Sequence, residues 1–212
     1  MSDPDAGPFP GLVDLADVMH AIRGGCPWDA EQTHATLVRY LVEETAEVVE
    51  AIEAGDDDQL REELGDLLLQ VYFHAEIAAE EGRFTLDEVA AEIAAKLVAR
   101  HPYVFTDAKV PADVLGSWER RKRVEKARAS ALDGIPGPLD TLARAAKVVA
   151  RTRAHGVPVE LPSEPLDAGE AGRALLAVVA RAQASGVDPD QALRDELRRL
   201  ETHIRAVEPP RS

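Results

Sequence analysis

The chain has 212 residues, a formal net charge of −15, 45% hydrophobic residues and only 4% aromatic ones. That apolar share suffices for a core, and the abundance of Ala, Leu, Val, Glu and Arg favours helix over strand. The charge excludes a nucleic-acid backbone as partner, which needs a basic face, but admits a small polyphosphate if metal ions supply positive charge.

The first eleven residues, "MSDPDAGPFPG", are acidic and rich in Pro and Gly, and read as a flexible lead without a signal-peptide pattern. A short helix is expected over Leu12 to Arg23, ended by Gly24 and Gly25. "CPWDAEQTH" follows as a turn, with Asp29 as its expected N-cap. Cys26 in this stretch is the only cysteine, so no internal disulfide forms and a small buried hydrophobe is its expected role.

Helical periodicity then runs from Thr33 to Ala54, with Leu37, Leu41, Val48 and Ile52 on one face. "GDDD" (Gly55 to Asp58) stops that helix and caps a second, Gln59 to Glu81, with Leu60, Leu64, Leu67, Leu68 and Val71 as its apolar stripe. Gly82 ends it, and "TLDE" from Thr85 to Glu88 is a capping box for a third helix that stops near Pro102. A further helix is expected over Ala112 to Arg128. "LDGIPGP" breaks the pattern there, which divides the chain into a lead (1–11), a main domain (12–129) and an appendage (130–212). The appendage is read as helices Leu139 to Ala154, Gly169 to Ala184 and Pro189 to Val207, with a Pro-containing loop after the first. No apolar run reaches the length that crosses a bilayer, so a cytoplasmic setting without a membrane partner is expected.

Carboxylates are concentrated in the two helices flanking Gly55. If these form an antiparallel hairpin, residues equidistant from the turn face one another. Glu47 and Glu63 are each eight residues from Gly55, and Glu44 and Asp66 each eleven. Positions three apart share a helix face, so these four carboxylates should converge at one level. Bare, they would repel strongly. A hard divalent cation removes the conflict, and an all-oxygen set suits Mg²⁺, with Mn²⁺ as substitute. The competing reading is a solvated acidic surface, which the symmetric spacing and the apolar flanks disfavour. A carboxylate-bridged di-iron site is rejected because neither His34 nor His74 stands three residues after a matching Glu.

The ordered blocks "CPWDAEQTH", "YLVEETAEVVEAI", "EELGDLLLQVYFHAEIA" and "KLVARHPYVF" resemble the MazG family of the all-α NTP pyrophosphatase superfamily. The resemblance covers Leu12 to about Lys126 and continues through "LDGIPGPLDTLARAAKV". It implies an all-α bundle and a Mg²⁺-dependent nucleoside triphosphate pyrophosphohydrolase. Such an enzyme releases pyrophosphate and a monophosphate from NTPs or dNTPs and clears non-standard nucleotides. The family's E-E-x-x-E and E-x-x-D motifs fall on Glu43, Glu44, Glu47, Glu63 and Asp66, with the last four as metal ligands. Its K-x-x-x-R and W-x-x-x-K segments match Lys96 and Arg100, and Trp118 and Lys122, which the resemblance assigns to the triphosphate. Glu43 is a candidate base, Trp28 a candidate stacking platform for the nucleobase, and Gln70, one turn beyond Asp66, a candidate neighbour of the site. One hairpin leaves apolar surface open, so a homodimer is expected.

Within the superfamily, a narrow dUTP or dCTP pyrophosphatase or a phosphoribosyl-ATP pyrophosphohydrolase is the alternative, which the "CPWD…QTH" block disfavours. A non-catalytic helical interaction protein is the alternative from another class. The appendage resembles the second half of a second copy: "GEAGRALLAVV" aligns with "EELGDLLLQVY", placing Glu170 at the position of Glu63 and Arg173 at that of Asp66. With a cation there and no preceding E-E-x-x-E helix, this copy is expected to hold no metal.

Overall fold

The computed structural model of the chain describes residues 9–114, 117, 118, 121 and 129–208. Among these, every regular element is a helix. The chain divides by packing into two compact units, residues 1–99 and 100–212. The motif-based main domain, 12–129, therefore has residues in both.

The first unit begins with α1, Pro10–Gly25, which starts earlier than expected because Pro10 occupies a first-turn position where its missing N–H costs nothing. Gly24 and Gly25 do not stop it; they form its last turn, and Cys26 is the extended cap. Residues 1–8 of the expected lead lie outside the described residues. The stretch expected to be a turn contains a one-turn helix, α2 (Pro27–Ala30), so Asp29 is inside a helix and caps nothing. The cap of the next helix, α3 (His34–Ala54), is Thr33: its hydroxyl accepts from the Thr36 N–H, and its own N–H donates to Thr36 Oγ1.

Gly55 ends α3 in the left-handed conformation, φ 69°, and Asp56 caps α4 (Asp57–Glu80) by accepting from the N–H groups of Asp58 and Gln59. With so short a connector, α3 and α4 pack as an antiparallel hairpin. The capping box at Thr85 forms as the sequence predicts: Thr85 N–H donates to Glu88, and Glu88 N–H donates to Thr85 Oγ1. It opens α5, Leu86–Arg100. The core of this unit is Met19, Leu37, Tyr72, Phe73 and Ile77, with Tyr40, Leu68 and Leu69 against it.

The expected apolar stripes are only partly buried. Leu37 is buried, yet Leu41 and Ile52 on α3 are 38% and 59% exposed, and Leu64 and Val71 on α4 are 49% and 42% exposed. Among the described residues α1 covers only the end of the hairpin distal to Gly55, where Leu37 lies, and the rest of the periodic face stays open.

In the second unit a one-turn helix, α6 (Pro102–Phe105), follows the α5 terminus. Of the helix expected over Ala112 to Arg128, Val114, Ser117, Trp118 and Arg121 are helical and Lys122 lies outside the described residues. Then come α7 (Thr141–Ala154), α8 (Ala168–Ala184) and α9 (Pro189–Val207). Ala131, Leu132, Val148, Leu197 and Ile204 form this unit's core. No described helix is long and apolar enough to cross a membrane.

Candidate metal centre

The short Gly55–Asp56 connector sets the register of the hairpin, and the register sets the site. Glu44 on α3 and Glu63 and Asp66 on α4 each offer a carboxylate oxygen, and the three oxygens lie within 4.8 Å of one another. All three residues, and Glu47, are half-buried, whereas the neighbouring Glu43 is exposed. Glu47 is outside the tight triplet but close enough to Glu44 to raise its pKa.

Burial raises the pKa of Glu44, and the negative charges of Asp66 and Glu47 and the hydrogen bond with Glu47 push it further. Glu63 is raised by burial first and then by Glu47, Glu62 and Asp66, against a lowering hydrogen bond with Gln59. The chain alone thus holds this cluster under electrostatic strain. A hard divalent cation fits the donor set, because all three ligand atoms of the triplet are carboxylate oxygens and two of the groups resist carrying their charge without compensation.

The aromatic and basic candidates divide between the units. Trp28, at the start of α2, is half exposed and meets Tyr40 edge to face, with centroids 6.0 Å apart. Tyr40 stands one turn before Glu44 on α3 and also carries the Arg39 guanidinium at 4.4 Å. Lys96 on α5 is half-buried, with Nζ 3.3 Å from Glu92. In the second unit the Arg100 guanidinium lies 5.7 Å from the Trp118 ring centroid, and the Arg100 carbonyl accepts from Arg121. Gln70 is buried, and its Oε1 has no hydrogen-bond partner among the described residues.

Two residues at the corresponding positions of the appendage have other surroundings. Glu170 closes the capping box of α8, exchanging hydrogen bonds with Asp167, and Arg173 lies one turn further along that helix. Sequence reasoning missed Arg23, which is buried although α1 gave no sign of it. Its partner Glu80 is 57 residues away, so no local pattern exposes the pairing.

Fold and cluster together define an all-α protein with an all-oxygen carboxylate site inside a helical hairpin. Residues 32–105, which include the whole hairpin, match the MazG nucleotide pyrophosphohydrolase domain. The chain is 35% identical over 217 residues to the nucleoside triphosphate pyrophosphohydrolase/pyrophosphatase MazG of Thermotoga maritima, covering 92% of this chain and 84% of that protein. It is 47% identical to an uncharacterized 26.1 kDa protein of Streptomyces cacaoi, over 97% of this chain and 86% of that one. It is 50% identical to the nucleoside triphosphate pyrophosphohydrolase of Escherichia coli K12, over 65% of this chain but only 55% of that enzyme, about half its length. The chain belongs to the MazG family of nucleotide pyrophosphohydrolases.

Proposed function

We propose that this chain is a Mg²⁺-dependent nucleoside triphosphate pyrophosphohydrolase, converting NTPs or dNTPs and water to the monophosphate and pyrophosphate. The observation that carries the reading is the meeting of Glu44, Glu63 and Asp66 within 4.8 Å in a chain of this family. Glu44, Glu47, Glu63 and Asp66 would hold the cation, with Mn²⁺ as a substitute. When bound, Mg²⁺ neutralises phosphate oxygens and makes a water more acidic.

The chain's own residues do the rest. Glu43, exposed beside Glu44, takes the proton of the attacking water. Lys96, Arg100 and Lys122 bind phosphate oxygens as charge develops on the departing pyrophosphate, an assignment that rests on the family resemblance. Trp28 and Trp118 offer apolar faces to the nucleoside. Clearance of non-standard nucleotides, rather than a narrow dUTP or dCTP activity, follows the "CPWD…QTH" resemblance, and a cytoplasmic setting follows that nucleotide role. The open faces of α3 and α4, with Leu41, Val42, Ile52 and Leu64 exposed, support a homodimer that covers them.

The test is pyrophosphate release from a panel of NTPs and dNTPs with Mg²⁺, comparing wild type with Glu63→Ala. Release by the wild type alone is the expected result, and the panel then reads out base preference. No release by either protein with Mg²⁺ or Mn²⁺ would overturn the reading and leave a non-catalytic interaction protein.

A further inference from the structure

The end of the α3–α4 hairpin away from its turn is closed by a pair of histidines. His34 is the first residue of α3 and His74 lies in the last two turns of α4. Their Nδ1 atoms are 2.7 Å apart, a hydrogen bond between two residues 40 positions apart in sequence. The rings are tilted by only 7° and their centroids are 4.9 Å apart. That spacing is nearly used up by the 2.7 Å contact plus the two ring radii, so the imidazoles meet edge to edge in one plane rather than face to face.

The proton count at this contact is fixed by a third residue. Arg83 contacts Nε2 of His34, and a guanidinium only donates, so that nitrogen must accept. His34 is then the neutral Nδ1–H tautomer and donates to His74 Nδ1, which leaves the proton of His74 on Nε2. Only one hydrogen fits between the rings. A second would set two N–H groups against each other beside the Arg83 cation.

Few charges offset that cation. Arg83 is itself paired with Glu81 in the turn after α4. From α1, His20 and Arg23 face α4, but they are engaged by Glu76 and Glu80. The carboxylate cluster is remote: Glu44 is ten residues from His34, or about 15 Å at the α-helical rise.

We propose that His34 and His74 form a proton-sensitive latch, which holds the distal end of the carboxylate-bearing hairpin closed at neutral pH and opens when acid places a second proton between the two rings. Burial, and then the proximity of His34, hold the His74 pKa below the ordinary 6.5. The folded chain therefore binds fewer protons here than the unfolded chain. The stabilisation is complete above 6.5 and is lost as pH falls through the lower folded value. The latch is a positioning device for the hairpin and does not depend on the chain being a pyrophosphohydrolase.

Long-range proton–nitrogen spectra of the imidazoles of the full chain between pH 8 and pH 5 test it. The expected result is His34 as Nδ1–H and His74 as Nε2–H at pH 8, with His74 titrating below 6.5. That titration should coincide with faster amide exchange at 34–40 and 70–77, corrected for the intrinsic pH effect, while 55–60 stay protected. His74 titrating at or above 6.5, or both rings as Nε2–H at pH 8, would overturn the proposal. His74→Phe, which cannot be protonated, should at least halve the fall in unfolding temperature between pH 7.5 and pH 5.5. An undiminished fall would overturn it too, and the spectra of the wild type decide alone if that variant does not fold.

Discussion

Arg23 of α1 and Glu80 of α4 form a two-point ion pair in which Nε donates to Oε1 at 3.0 Å and Nη2 donates to Oε2. The remaining arm of the guanidinium, Nη1, donates to the carbonyls of Asp29 and Gln32, and the cation lies 5.7 Å from the Phe73 centroid. One buried side chain thus joins α1, α4 and the α2 loop that carries Trp28. Arg23→Met would strand the two carbonyls and leave Glu80 unpaired. Breaking a fully buried pair costs about 3–5 kcal/mol, but the Glu80 side chain is 41% exposed and keeps hydration, so about 2 kcal/mol is expected. Arg23 holds the Glu80 pKa below the usual carboxylate range. Its contribution is therefore present above the unfolded value and lost as pH falls through the folded one. Urea unfolding should show the gap between wild type and variant at pH 7 and its shrinkage at pH 3.

The carboxylate cluster predicts the opposite pH behaviour. The Glu44 and Glu63 pKa values are raised in the fold, so without a cation their contribution to stability is present below the unfolded value and lost as pH rises through the folded one. A divalent cation reverses this by compensating the charge. At one hundred times its Kd it adds about 2.7 kcal/mol, which for a chain of this size raises Tm by roughly 5–10 °C. The rise should be larger at pH 8 than at pH 5.5, where bound protons compete with the cation. Glu63→Gln should lose most of the rise, yet in EDTA at pH 8 be at least as stable as wild type. Thermal scans with Mg²⁺ and with EDTA check both expectations.

Trp28 offers a test of nucleoside recognition that leaves the fold intact. The residue is 50% exposed, and its hydrogen bond within the loop runs through its backbone carbonyl, which accepts from the Gln32 side-chain amide, Nε2, and not through the indole. Trp28→Ala removes a stacking surface worth about 1–3 kcal/mol per base. A tenfold rise in KM, equal to about 1.4 kcal/mol, is expected with kcat within about twofold. An unchanged KM across the nucleotide panel would confine Trp28 to packing against Tyr40.

What the sequence disclosed was decided by local chemistry. The Gly55–Asp56 reversal, the Thr85–Glu88 box and the span Pro189–Val207 were readable because a cap lies within four residues of the groups it satisfies. The carboxylate cluster was readable by one further step, counting outward from Gly55. Arg23–Glu80 and His34–His74 were not, since they join residues 57 and 40 positions apart and depend on how α1 and the hairpin settle. Exposure of Leu41 and Ile52 was hidden for a different reason. A periodic apolar face records that something is to be covered, without recording whether the cover belongs to the same chain.

Two glycines of the hairpin carry that distinction into an experiment. Gly55 ends α3 at φ 69°, with its own N–H bonded to the Ile52 carbonyl and the Asp56 N–H to that of Ala51. Gly55→Ala forces a Cβ into the left-handed region and should cost about 1 kcal/mol. Gly65 lies inside α4, between the exposed Leu64 and the site residue Asp66, where an added Cβ would meet nothing within 4 Å. If that face is bare, Gly65→Ala should stabilise by about 0.5–1 kcal/mol, because helix interiors disfavour glycine. The proposed homodimer predicts otherwise for an interface seated on Gly65, since a partner backbone packed against it would collide with the new methyl group. Urea unfolding of both variants at several protein concentrations separates the cases: a concentration-independent gain marks an open face, and a loss that shrinks as protein is diluted marks a second chain.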